Sequence, residues 1–159
     1  MRLTRRFLPP CSVSSAELPT SIATFSKLES LNLFNNQLTE LPPQVNQLSK
    51  LRALIVSCNK IKELPRGFGS CPALVFLDLS ANEIETLTPN FFYLSTPGRA
   101  HTSSRWGRLM GNRQCSRGGF AATLKILHLA DNKISVLPPE IKQLTALETV
   151  RWTRRQPRN

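Results

Sequence analysis

Residues 28–50 read LESLNLFNNQLTELPPQVNQLSK, with leucines at 28, 31, 33, 38, 41 and 48. The spacing returns in LRALIVSCNKIKELPRGFGSCPA (51–73) and in LVFLDLSANEIETLTPNFFYLST (74–96). After an interruption it returns once more, in LKILHLADNKISVLPPEIKQLTA (124–146). Each copy has 23 residues and fits L-x-x-L-x-L-x-x-N-x-L-x-x-L, with Val or Ile replacing some leucines. An apolar residue follows four and seven places after the last of these positions.

A fixed period with this template is the signature of a leucine-rich repeat. Leu31 and Leu33 alternate with Asn32, so each copy opens as one short strand with side chains on alternate faces. Leu38, Leu41, Val45 and Leu48 close the turn and fill the interior. One repeat cannot bury its apolar face alone, and stacking builds a continuous core. Each large side chain contributes about 1.5–3 kcal/mol on full burial, which offsets the entropy of ordering the chain. The fold class expected is α/β, a leucine-rich-repeat solenoid. Short parallel strands line its concave face and extended or 3₁₀ segments its convex face. Pro42, Pro65 and Pro138 set that outer side by fixing φ and removing a donor; in the third repeat Thr88 takes this place and Pro89 follows.

Asn36, Asn59, Asn82 and Asn132 share one phase, where the chain leaves the strand. A buried carboxamide there can satisfy backbone groups that the turn leaves unpaired, so these four read as a structural ladder. Gly67 and Gly69 in RGFGS read as turn glycines. No strand-to-helix context makes them a phosphate loop.

Partial copies flank the full ones. Leu18 lies 23 residues before Leu41, so LPTSIATF is the second half of an earlier repeat. LETVRW from Leu147 opens a fifth, with Val150 and Trp152 in core phase, and stops at Arg155 where Asn is expected. The organisation expected is a disordered basic tail at 1–15 and repeats over 16–96. An irregular Arg/Gly/Ser-rich insertion follows at 97–123, then repeats over 124–152 and a second basic tail at 153–159. Neither end shows a capping pattern, which a solenoid needs to cover its edges.

The formal net charge is +11, yet 16–96 and 124–150 hold nine Lys/Arg against ten Asp/Glu, a net of −1. Twelve arginines lie in 1–15, 97–123 and 151–159. The stretch PGRAHTSSRWGRLMGNRQCSRGGFAAT (97–123) has no Asp or Glu and too few apolar residues for a core, so it is expected to be disordered. It reads as an inserted loop, a basic interaction arm, or sequence foreign to the folded protein such as a mis-joined transcript. Whether foreign sequence or inserted loop, it loops out, and the repeat at Leu74 stacks on the repeat at Leu124 if the loop permits. The Arg/Ser-rich start loosely resembles a transit peptide, and a plain tail is the simpler reading. No apolar run reaches the length of a transmembrane helix. Cys11, Cys58, Cys71 and Cys115 match no zinc spacing and are expected to be reduced. Cys71 falls in core phase.

No catalytic, metal or cofactor constellation emerges. His101 lies in the irregular stretch and His128 on a strand; Asp78 shares the phase of His128, read as two repeats apart if the interruption loops out. Binding is the better-supported class. Strand positions that point away from the core include Asn32, Phe34, Ile55, Phe76, Asp78, Ile126 and His128, and these are the candidate partner contacts. Large apolar residues clustered on a rigid face mark a partner surface. A basic RNA- or membrane-associated protein acting through its Arg-rich segments is the alternative.

LNLFNNQLTELPPQV (31–45), LPRGFGSCPALVFLDLSANE (64–83) and NFFYLST (90–96) resemble the Ras suppressor protein family. The likeness covers about 16–96 and 123–150. It implies a solenoid of more repeats than are present here, with a C-terminal extension. It also implies no enzymatic activity, a LIM-domain adaptor of the integrin-linked-kinase complex as partner, and a role in Ras and adhesion signalling. The remaining expectations are a cytoplasmic location at cell–matrix adhesions, a monomer, no cofactor, no nucleic acid and no membrane insertion.

Overall fold

The computed structural model describes residues 7–8, 17–65, 67–87 and 122–153. Among them, six short strands form one parallel sheet in chain order: β1 (Phe7–Leu8), β2 (Ser30–Asn32), β3 (Ala53–Ile55), β4 (Phe76–Asp78), β5 (Ile126–His128) and β6 (Thr149–Arg151). The register repeats without slip. Leu31 faces Leu54, Leu54 faces Leu77, Leu77 faces Leu127, and Leu127 faces Val150. The central leucines of β2–β5 are buried and their flanking residues half-exposed, as side-chain alternation requires.

The opposite side is built from 3₁₀ turns at Thr20–Thr24, Pro43–Gln47, Phe68–Ser70 and Pro139–Gln143. Prolines start three of them: Pro19, Pro42 and Pro138 hold φ between −65° and −69° in the extended residue before the turn. Pro43 and Pro139 then occupy the first turn, where a missing N–H costs nothing. Phe68–Ser70 starts differently, from Gly67 at φ 77°. The two sides enclose a single apolar cluster that runs from Leu18 to Leu144 and includes Val45, Phe68 and Cys71.

Two features differ from the sequence reading. Phe7–Leu8 lies inside the segment assigned to a tail, yet it pairs with Ser30–Leu31 in repeat register. The template misses it because the leucines and the Asn around Leu8 are absent, while strand pairing needs only backbone groups and the correct phase. The fifth repeat opens with its strand as expected, but Val150, read in core phase, stays 39% exposed. Residues 88–121 and 154–159, which hold most of the expected insertion and C-terminal tail, the Thr88–Pro89 variation, His101, Cys115 and Arg155, lie outside the described residues, as do 9–16 with Cys11. Whatever path residues 88–121 take, β4 and β5 are hydrogen-bonded neighbours.

Each full repeat contains one left-handed residue directly before its ladder Asn: Asn35 (φ 54°), Cys58 (φ 58°), Ala81 (φ 51°) and Asp131 (φ 55°). Asn and Asp visit this region readily, whereas Cys and Ala pay a steric cost there. Ala81→Gly is expected to stabilise the chain by about 0.5–1 kcal/mol. Ala53→Gly, in the extended backbone of β3, is expected to destabilise it by a similar amount, about 0.5–1 kcal/mol. Denaturant midpoints of the two variants check this, and shifts of the same sign would remove the left-handed strain from consideration.

Candidate partner-binding face

The strand-to-turn corner is held by side chains as well as by backbone hydrogen bonds between repeats, such as Cys58 N–H to Ser80 O at 3.0 Å. Asn59 Oδ1 accepts from Leu38 N–H at 3.0 Å, and its Nδ2 donates to Leu33 O and Val56 O, each at 2.9 Å. Asn82 repeats the pattern: Oδ1 accepts from Ile61 N–H, and Nδ2 donates to Val56 O and Leu79 O, all at 3.0 Å. Asn132 Oδ1 accepts from Ile84 N–H at 3.1 Å, and Nδ2 donates to Leu79 O at 2.8 Å and Leu129 O at 3.1 Å. Asn36 donates to Leu33 O at 2.9 Å. The carbonyls of Leu33, Val56 and Leu79 are therefore each held by two successive carboxamides. The ladder joins repeats to one another as well as closing each turn, and the Nδ2 and Oδ1 atoms of Asn59, Asn82 and Asn132 are committed to backbone partners.

This scaffold fixes the outer face of the sheet as three rows. The first row is Ser30, Ala53, Phe76, Ile126 and Thr149; the second is Asn32, Ile55, Asp78, His128 and Arg151. The third continues past the strand ends with Phe34, Ser57, Ser80, Ala130 and Thr153. Phe76 and Ile126 are direct cross-strand neighbours. Ile55 lies one strand and one row away from Phe76, and Phe34 one strand and one row beyond Ile55. The four apolar candidates thus form a diagonal stripe. Phe34 is the most open, at 48% exposure, while Ile55, Phe76 and Ile126 are half-buried.

The polar candidates are partly engaged. Asn32 Oδ1 accepts from Phe34 N–H at 2.9 Å, and Asp78 Oδ1 from Ser80 N–H at 3.0 Å. In both, a side-chain oxygen stabilises the backbone two residues on, a turn device of Asx residues. The sequence reading missed this role, although Asn and Asp at one strand-end phase is its signal. Asp78 and His128 were expected two repeats apart. They are direct neighbours, because β4 pairs with β5 across the interruption. The His128 ring also stands edge-on to Phe76, with centroids 5.5 Å apart and planes at 78°.

Other chemistry is sparse. Cys58 and Cys71 are free thiols, and burial pushes the Cys71 thiol up to about 12, which keeps it protonated and unreactive. Glu83 is half-exposed; the Lys133 ammonium hydrogen-bonded to it at 3.0 Å lowers its carboxyl below the ordinary range. Among the described residues, no group of three His, Cys, Asp or Glu is placed to hold a metal ion. No helix among them is long and apolar enough to cross a membrane.

Family models of the leucine-rich repeat match residues 25–90 and 123–144, the two blocks that the sheet joins. The chain belongs to the leucine-rich-repeat family. Solved leucine-rich-repeat structures superpose on it. One is a leucine-rich-repeat protein of Leptospira interrogans, 30% identical with a TM-score of 0.61, covering 83% of this chain and 27% of its own. Another is an internalin of Listeria monocytogenes, 19% identical with a TM-score of 0.55, covering 86% of this chain and 33% of its own; it supports the fold alone. The chain therefore spans about a quarter to a third of the length of these solved proteins. No curated protein matches the sequence. A leucine-rich-repeat fold is a protein-binding scaffold, and the rigid outer face of its sheet is the surface that such a scaffold offers.

Proposed function

We propose that this leucine-rich-repeat chain is a non-enzymatic interaction module that grips a folded protein through the concave face of its sheet. The observation that carries the reading is the diagonal stripe of Phe34, Ile55, Phe76 and Ile126. These are large apolar side chains placed on the solvent side by a register that buries the leucines between them. A folded chain does not need this stripe for its own core. Aromatic anchors on a rigid surface lose little entropy on binding and dominate interface energetics. Asn32, Asp78 and His128 border the stripe and supply its polar contacts.

The partner proposed is a LIM-domain adaptor of the integrin-linked-kinase complex. The location is cytoplasmic, at cell–matrix adhesions, and the role is in Ras and adhesion signalling. Support for this finer assignment comes from the resemblance of residues 31–45, 64–83 and 90–96 to the Ras suppressor family. The arginine-rich segments behind the nucleic-acid and membrane alternative fall mostly outside the described residues.

Phe76→Asp is expected to reduce pull-down of the LIM-domain adaptor by about tenfold or more, as loss of a central aromatic anchor does. Phe34→Ala should weaken it by a smaller factor. Both variants should keep the far-ultraviolet circular dichroism of the parent, since neither position is in the core. Unchanged capture by folded Phe76→Asp protein would reject the concave face as the binding surface.

A further inference from the structure

The second row of the outer face carries an ordered change of charge. Asn32 and Ile55 are neutral, Asp78 is acidic, His128 offers an imidazole donor, and Arg151 is cationic. Among the outer-face positions of β2–β6, Asp78 and Arg151 are the two full charges, and they lie two strands apart. That separation is about 9.6 Å at a strand spacing of about 4.8 Å. Arg151 is exposed. Lys125, beside Ile126, is already paired with Glu148 at 2.6 Å, so neither of those two sets the local charge. Asp78 is anchored by the Ser80 N–H at 3.0 Å, and the His128 ring by its edge contact with Phe76. These contacts fix two of the three polar groups before any partner arrives.

One row away lies the cross-strand pair Phe76–Ile126. Two residues along a strand span about 6.6 Å, so an apolar side chain seated on this pair sits about one side-chain length from His128 and Arg151. We propose that this face recognises a partner segment carrying an apolar side chain one or two residues from a carboxylate. The apolar group seats on Phe76 and Ile126, and the carboxylate is received by the His128 and Arg151 donors. This rests on the concave-face reading given above. Arg supplies a planar fork of N–H groups that fits a carboxylate, and imidazole adds a further donor. Asp78 repels the same carboxylate from the other side, so the row admits the segment in one orientation.

The test is selection of a displayed library of random peptides on the intact chain, followed by affinity measurement with synthetic copies of the enriched peptides. Enriched peptides are expected to pair an aromatic or aliphatic residue with Asp or Glu one or two positions away. Arg151→Glu should then weaken them by about tenfold or more, since like charges face each other across the contact. Replacing the peptide carboxylate by its amide should weaken binding to the parent chain in the same way. Enrichment without an acidic preference, no enrichment at all, or equal affinity for Arg151→Glu would overturn the proposal. If Phe76→Asp abolishes peptide binding while Arg151→Glu leaves it intact, the concave face stands and carboxylate recognition falls. If Phe76→Asp has no effect, both fall.

Discussion

Asn82→Ala is expected to destabilise the chain by about 2–4 kcal/mol, and Asn82→Asp by more at neutral pH. The first substitution leaves the buried Ile61 N–H without its acceptor, which costs about 1–3 kcal/mol, and adds the space of the missing side chain. The neighbouring carbonyls are cushioned: Val56 O keeps the Asn59 carboxamide and Leu79 O keeps Asn132. The second substitution preserves the acceptor for Ile61 but turns Nδ2 into a second oxygen. That oxygen would face Val56 O and Leu79 O, each 3.0 Å from the present donor, in a site with little access to water. A buried charge aimed at carbonyl oxygens is costlier than a missing side chain. Denaturant unfolding of both variants checks the order. If Asn82→Asp is the milder change, the doubly held carbonyls are not what the ladder contributes.

Phe68→Ala is expected to cost about 3–5 kcal/mol, as for other fully buried aromatics. Phe68 is fully buried in the 3₁₀ turn behind the sheet, within the core cluster that also holds Val45 and Cys71. Phe76→Ala makes the same chemical change on the outer face and should cost about 1 kcal/mol, mostly the edge contact with His128. The pair tests the facing of the fold and separates the residues that maintain it from those left for a partner. Comparable losses for the two would place Phe76 in the core and remove the stripe from the binding surface.

Much of this architecture could be read along the chain. Leu31, Leu54, Leu77 and Leu127 recur at the start of each copy, and only stacking brings positions so far apart into one interior. The ladder of Asn59, Asn82 and Asn132 was legible by residue type and phase. Its sharing of Leu33, Val56 and Leu79 carbonyls between successive repeats was not, because that depends on how closely the layers approach. The left-handed backbone at Cys58 and Ala81 was hidden for a local reason. Neither residue favours that conformation, so neither advertises it, whereas Asn35 and Asp131 at the same phase do. Leu8 was hidden because a template built on side chains passes over a strand whose neighbours have lost them.

The period of 23 residues by itself determined that the chain coils into layers, which leucines go inside, and which strand positions remain outside. Periodicity suffices there because burying one stripe of apolar side chains leaves a single way to stack identical units. Tertiary structure alone decided which outer residues become neighbours. Closing β4 against β5 places Asp78 beside His128 and Phe76 beside Ile126, although 50 positions separate each pair in the chain. The physical reason is that backbone hydrogen bonds between strands are indifferent to how much chain lies between them, so adjacency across the sheet is set by stacking order and not by distance along the sequence.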